Sequence, residues 1–323
     1  MRLVERGHPL AALQDRAHTA TEGRGCVVLV AGEAGIGKTA LLRAFAEDAP
    51  VPVLWGMCDP LSTPRPLGPL HDVAADLGPA VTAALRDAVA QHEIFAAVLG
   101  ALRERARALV VEDLHWGDEA TLDLVRFLAR RVAGLPLLLV VSYRDAIGPG
   151  HPLRPVLGDL VAAPGARRLQ LAPLSRAAVA ELVGAHGLDA ADVHIRTAGN
   201  PFFVSQVLAQ PDSPLPESVR DAVVARTAAL APPVRRALEL LSCAPEGVSG
   251  ALLAALDVPQ ATVEALAATG LLDRRGPGIA FRHEIARSAV LDAVSPGTEP
   301  ALHVTMMAAL EAIGGDASVL AHH

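Results

Sequence analysis

Lysine is nearly missing from this 323-residue sequence: Lys38 is the only one, and every other basic side chain is arginine. Whatever drives that bias stops at the one position where a compact ammonium cannot be replaced by a planar fork. Positive charge is also in deficit, with a formal net charge of −7. A chain of that sign gets no global electrostatic help in binding DNA or RNA, so any such contact has to be local. The three cysteines, Cys26, Cys58 and Cys243, are widely spaced and form no CxxC or metal pattern. They read as small buried hydrophobes in a reducing compartment. No apolar run approaches the roughly 18 residues of a membrane span, and the opening MRLVERGHPL has no signal-peptide core. A cytoplasmic location and no membrane partner are therefore expected. Aromatics are scarce at 3%.

What is present is alanine, leucine and valine in quantity, and enough length for two or three domains. One stretch organises the rest. An apolar run over 27–31 reads as a buried strand and opens at once into GEAGIGKT, residues 32–39. That is the phosphate-loop pattern GxxxxGK(S/T) in a strand-then-helix setting. Gly32, Gly35 and Gly37 let the backbone N–H groups wrap phosphate oxygens where a Cβ would intrude, and Ile36 is counted with them as nucleotide-binding. The helix that starts near Lys38, Thr39 and Ala40 adds its positive end. Lys38 supplies a point charge to the β- and γ-phosphates, and the Thr39 hydroxyl is placed to ligate Mg²⁺. The plain alternative is a glycine-rich turn without a ligand.

Before the loop, a capping segment leads into an amphipathic helix over 9–21. After it come a helix carrying Leu41, Leu42 and Phe45, and a strand over 51–56 whose Pro52 suggests a sheet edge. A proline-dense loop over 59–69 follows, then helices over 70–77 and 79–106. The run LVVED at 109–113 is a short buried strand ending in adjacent carboxylates. Glu112 is assigned to hold Mg²⁺ through water and Asp113 to polarise the attacking water; the alternative is a strand ending in a solvated turn. Asp118 caps a helix to 131. Another apolar strand, from 137, ends in SYRD at 142–145, making Arg144 either a γ-phosphate sensor or a surface arginine paired with Asp145.

A Gly/Pro loop at 148–152 precedes a last short strand at 169–171. Beyond Pro173 helical patterns take over, at 175–186, 188–198 and after the Gly199-Asn200-Pro201 break. The linker PDSPLP at 211–216 leads to helices over 217–230, 233–243, 249–256 and 259–268, and then a hairpin turning at 276–278. Helices followed by a hairpin suggest a winged helix. Arg274 and Arg275 read as an exposed basic turn, with phosphate contact the alternative. His283 starts a further helix, by itself a structural position, and one more helical pattern follows Gly297.

The phosphate loop, EDLHW at 112–116, SYRD, GNPF at 199–202 and FRHE at 281–284 occur here in one order. Together they resemble the ATPase module of STAND-class P-loop proteins, close to the AAA ATPase domain of large LuxR-type bacterial transcriptional regulators. The resemblance runs from Leu3 to about Val294. It implies an α/β P-loop NTPase parallel sheet of AAA/STAND type over 1–172, a helical lid over 173–212, a winged-helix domain over 213–296, and the start of a truncated helical region over 297–323. It implies ATP, ADP and Mg²⁺ as ligands, slow ATP hydrolysis, and a nucleotide-dependent switch that self-associates in its ATP form. Val4 and Arg6 would line the adenine pocket, Pro201 would be a lid residue near the base, and His283 would contact the β-phosphate of ADP. Two residues depart from the pattern: Glu5 stands where the family usually has glycine, and Glu112 where aspartate is preferred. The regulators also continue into helical repeats and a C-terminal helix-turn-helix, neither of which is found here, so direct DNA binding is not expected. Rival readings are a DNA-loading or remodelling AAA ATPase and a nucleotide-binding scaffold with negligible turnover.

Overall fold

A computed structural model of the chain describes residues 3–314 except 62–63, 88, 149, 185, 212 and 214. Parts of the expected loops at 59–69 and 148–152, of the linker at 211–216 and of the terminal region beyond 314 lie outside the described residues. The chain divides into two compact units, Met1–Ala172 and Pro173–His323.

In the first unit α1 (Gly7–Thr21) precedes β1 (Cys26–Ala31), α2 (Lys38–Glu47) and β2 (Val53–Met57). Then come α3 (Gly68–Leu77), α4 (Pro79–Arg86), α5 (Gln91–Arg103), β3 (Arg107–Glu112), α6 (Glu119–Ala129), β4 (Leu137–Tyr143), α7 (Leu153–Val161) and β5 (Arg167–Gln170). The strands form one five-stranded parallel sheet in the order β2-β3-β4-β1-β5. Every residue of β1, β3 and β4 is buried, which explains their unbroken apolar runs: a parallel sheet covered on both faces needs no polar alternation. Val28 and Val30 of β1 pack with Leu13, Leu41 and Phe45 of α1 and α2. Val27 and Leu29 face the other way, toward Val98, Leu128 and Leu160. β4 lies between β1 and β3, so three loop-bearing strand ends sit side by side at one edge of the sheet.

Pro52 immediately precedes β2, which is an edge strand as expected. Two expectations fail. The single helix over 79–106 is two, α4 and α5, with the turn ending at Ala90 in an extended conformation. A continuous helix of 28 residues would run about 42 Å; folding it back brings Val81 and Val98 into one core cluster. The helix α7 was not anticipated, because Pro155 and Gly158 obscure its pattern. A proline in the first turn is tolerated, and Leu153, Val156 and Leu160 are buried.

The second unit is helical: α8 (Arg176–Val183), α9 (Ala190–Thr197), α10 (Pro201–Ala209), α11 (Glu217–Ala228), α12 (Pro232–Ser242), α13 (Gly250–Ala255) and α14 (Gln260–Ala268). A hairpin of β6 (Leu272–Arg275) and β7 (Gly278–Phe281) follows, then α15 (Glu284–Asp292) and α16 (Glu299–Ala312). Side-chain caps set several starts: Ser175 accepts from Ala178 N at 3.2 Å, Asn200 from Phe202 N at 3.0 Å and Ser249 from Leu252 N at 3.2 Å. Gly199 is indispensable to the break it makes, because its φ is 72° and a Cβ there would lie 2.2 Å from Leu174 O. Val248, between α12 and α13, bridges Ile279 of β7 in antiparallel fashion. No helix among the described residues is long and apolar enough to cross a membrane.

Candidate nucleotide site

The phosphate loop leaves β1 at Ala31 and enters α2 at Lys38. Gly37 takes φ 96° at the N-cap, a left-handed conformation that a side chain would oppose. Lys38 is only 7% exposed. Its Nζ donates to Gly32 O at 2.9 Å and to Glu33 O at 3.0 Å, so the loop is folded around its own ammonium. Burial lowers the Lys38 pKa, with Asp113 pulling the other way. The first-turn N–H groups of α2 have no intrahelical partner and point out of its N-terminus.

Glu112, at the end of β3, meets that helix. Thr39 Oγ1 donates to Glu112 Oε1, and Trp55 Nε1 of β2 donates to Glu112 Oε2 at 3.1 Å. Both carboxylate oxygens are engaged, and Glu112 is buried. The next residue, Asp113, has φ 53°, and its backbone N–H donates to Ser142 Oγ of β4 at 2.9 Å. Asp113 leads into a 3-10 turn, Leu114–Trp116. Within it His115 Nδ1 lies 3.8 Å from Asp113 Oδ1, and the His115 ring centroid is 5.1 Å from that of Trp116. Burial, reinforced by Arg144, Lys38 and His151, pushes the His115 pKa down to about 3. Asp118 closes this segment by capping α6 through Ala120 N and Thr121 N.

Arg144 follows β4 with its guanidinium carbon 5.7 Å from the Trp116 ring. Asp145, the alternative partner, accepts instead from Gln170 Nε2 at 3.1 Å. Arg6 is 5% exposed, and its Nη2 donates to Ile36 O at 3.1 Å and Ala172 O at 2.9 Å. It therefore ties the phosphate loop to the last residue of the unit. Val4 is half-buried beside it in sequence. The first unit thus brings Lys38, Thr39, Glu112 and Asp113 together where β1 and β3 end, with Arg144 at the end of β4. Pro201 and His283 belong to the second unit, where Pro201 opens α10. His283 is buried at the start of α15, its ring 4.9 Å from that of Phe203. Reasoning from the sequence had not singled out Trp55 or Ser142 for this site. Both act from neighbouring strands, and the only available signal was a polar or aromatic residue at the tip of an apolar strand.

Residues 2–141, under half of the chain, match the family model of the AAA ATPase domain. The chain is similar to the Walker-type ATPase of Pyrococcus abyssi, with a TM-score of 0.63 at 14% identity, covering 89% of this chain and 96% of that one. It is also similar to the Orc1 protein of Aeropyrum pernix solved in complex with DNA, with a TM-score of 0.51 at 15% identity over 90% and 93% of the two chains. At such identities the likeness is one of fold alone. A curated relative, an uncharacterized protein of Rhizobium meliloti (strain 1021), is 27% identical over 405 residues. That match covers 99% of this chain, which spans about two fifths (39%) of the relative's length.

Proposed function

We propose that this chain is an ATP-binding ATPase module that works as an ATP/ADP-dependent regulatory switch of STAND type. The observation that carries the reading is the contact between the Thr39 hydroxyl and the Glu112 carboxylate beside the buried Lys38. A hydroxyl and a carboxylate so placed are the oxygen donors a Mg²⁺ on nucleotide phosphates takes from a protein, so the residues fit the ion. Thr39 directly and Glu112 through water would hold the ion, which would supply positive charge to the nucleotide phosphates. Lys38 and the α2 N-terminus orient the phosphates, Asp113 polarises the attacking water, and Arg144 answers to the γ-phosphate. Arg6 holds the carbonyl of Ile36, and with Val4 it forms the adenine side of the site.

For the second unit we propose a helical lid over 173–212 and a winged helix over 213–296. The order α12, bridging Val248, α13, α14 and the β6–β7 hairpin supports the winged helix. In this reading Pro201 and His283 make nucleotide affinity depend on the second unit, and the ATP form self-associates. A place in bacterial transcription regulation of the LuxR type rests on the combination of motifs alone. Arg274 lies 3.9 Å from Glu264 and Arg282 lies 2.7 Å from Asp273, so these basic residues of the hairpin region have acidic neighbours and DNA binding is left out of the proposal.

A near-complete switch requires roughly 5 kcal/mol of differential binding between two states. Calorimetric titration of ATP and ADP with Mg²⁺ tests this: wild type binds both, Lys38→Ala binds them on the order of 100-fold more weakly, and His283→Ala loses more affinity for ADP than for ATP. Equal affinities in wild type and Lys38→Ala would overturn the nucleotide site. An unchanged ADP-to-ATP ratio in His283→Ala would remove the second unit from the switch. Steady phosphate release by wild type that Asp113→Asn lowers about 100-fold or more excludes a scaffold without turnover.

A further inference from the structure

In the first unit, the buried side-chain polar atoms that lack a hydrogen bond among the described residues are Arg107 Nε and both ring nitrogens of His115. Arg107 opens β3, at the strand end away from the site. His115 is at the site, and is 9% exposed. Leaving a buried donor or acceptor unpaired is costly, and an apolar side chain would not incur that cost. Such an orphaned ring is accounted for if its partner is met at another stage of the protein's work.

The geometry names the partner. Asp113 Oδ1 is 3.8 Å from His115 Nδ1, about 0.6–0.8 Å beyond an ordinary hydrogen bond. Asp113 itself occupies the left-handed region at φ 53°, uncommon for a residue with a side chain, and its N–H is pinned to Ser142 Oγ at 2.9 Å. The backbone of Asp113 is therefore fixed, while its side chain is 35% exposed. Trp116, 5.1 Å away between ring centroids, flanks the imidazole. Burial first, then Arg144, Lys38 and His151, favours the uncharged ring, which offers one N–H and one lone pair.

We propose that His115 is a positioning residue for Asp113: during turnover its ring N–H closes on the Asp113 carboxylate and fixes the oxygen that polarises the attacking water. This rests on the ATPase reading above and goes beyond it by giving the buried imidazole a role of its own.

The test compares His115→Phe, which keeps a ring beside Trp116 but removes the N–H, with His115→Asn, which restores a short donor. It also includes Asp113→Asn and the double variant His115→Phe/Asp113→Asn. Phosphate release under saturating Mg–ATP should fall roughly 10- to 100-fold in His115→Phe, the range expected when a partner that orients a functional side chain is lost. KM and the calorimetric ATP affinity should stay within about twofold of wild type, because the residue acts on turnover and not on ground-state binding. His115→Asn should recover part of the loss, and His115→Phe should cost nothing further once Asp113 is already asparagine. A wild-type rate in His115→Phe, a parallel fall in ATP affinity, or full additivity in the double variant overturns the proposal alone. If wild type binds ATP but releases no phosphate, the ATPase reading fails and takes this one with it.

Discussion

Two loops leave the same edge of one parallel sheet, separated by a single strand, and they are finished differently. The phosphate loop after β1 has its key groups satisfied: Lys38 by two carbonyls of the loop and Thr39 by Glu112 at the end of β3. The turn after β3 leaves a buried imidazole without a hydrogen bond among the described residues, 3.8 Å from Asp113. On the proposed function, one loop is built in advance for a ligand that replaces contacts it already makes. On the proposal for His115, the other completes its contacts only when chemistry is under way. Binding and turnover should therefore separate cleanly between them under mutation.

The largest expected effect is on the finished side. Lys38→Ala removes the ammonium around which the loop is folded, and ATP affinity measured by calorimetry should drop on the order of 100-fold, about 3 kcal/mol. Across the sheet, Asp113→Asn should lower phosphate release by about 100-fold or more while affinity stays near wild type. A large affinity loss there would erase the contrast.

The unfinished turn should also show itself as acid sensitivity. His115 is held neutral with a pKa near 3 against an ordinary 6.5, so the unfolded chain binds a proton between those values that the folded one does not. Its contribution is complete above pH 6.5 and is lost as pH falls toward 3, amounting to about 2–3 kcal/mol by pH 4.5. Urea unfolding at pH 7 and 4.5 should show a shallower acid loss in His115→Phe than in wild type. The smallest effect belongs to Trp55→Phe, which removes one of the two donors to Glu112. The Mg²⁺ concentration needed for half-maximal phosphate release should rise about fivefold, roughly 1 kcal/mol. No shift would show that Thr39 alone orients the carboxylate.

The finished loop was legible in the sequence because its conformation is local: glycines where left-handed or close-approach backbone is needed, a strand before, a helix after. The edge position of β2 was legible from Pro52 for a similar reason, since a proline cannot serve an interior ladder. Trp55 and Ser142 were not legible, because their roles depend on which strand lies beside β3. That register, with Met57 opposite Glu112 and Val111 opposite Val141, is fixed by packing over long sequence separations. Arg6 shows the same limit most sharply, since one of its carbonyl partners lies 166 residues away. The split of the expected helix over 79–106 was hidden for another reason: the local pattern supports a helix throughout, and only the size of the core requires it to turn back.

The scarcity of aromatics has an optical consequence. Trp55, Trp116 and Tyr143 are the chain's only tryptophans and tyrosine, and all three fall in the first unit at or beside the strand ends that carry the site. Trp55 is bonded to Glu112, and Trp116 lies under Arg144. The intrinsic fluorescence of this protein is therefore the emission of its site, while the second unit is dark above 295 nm excitation. A change in emission on adding nucleotide needs no label to be assigned to the first unit. Melting followed by emission can be set against melting followed by far-ultraviolet dichroism, which sees both units, to reveal whether the two unfold together.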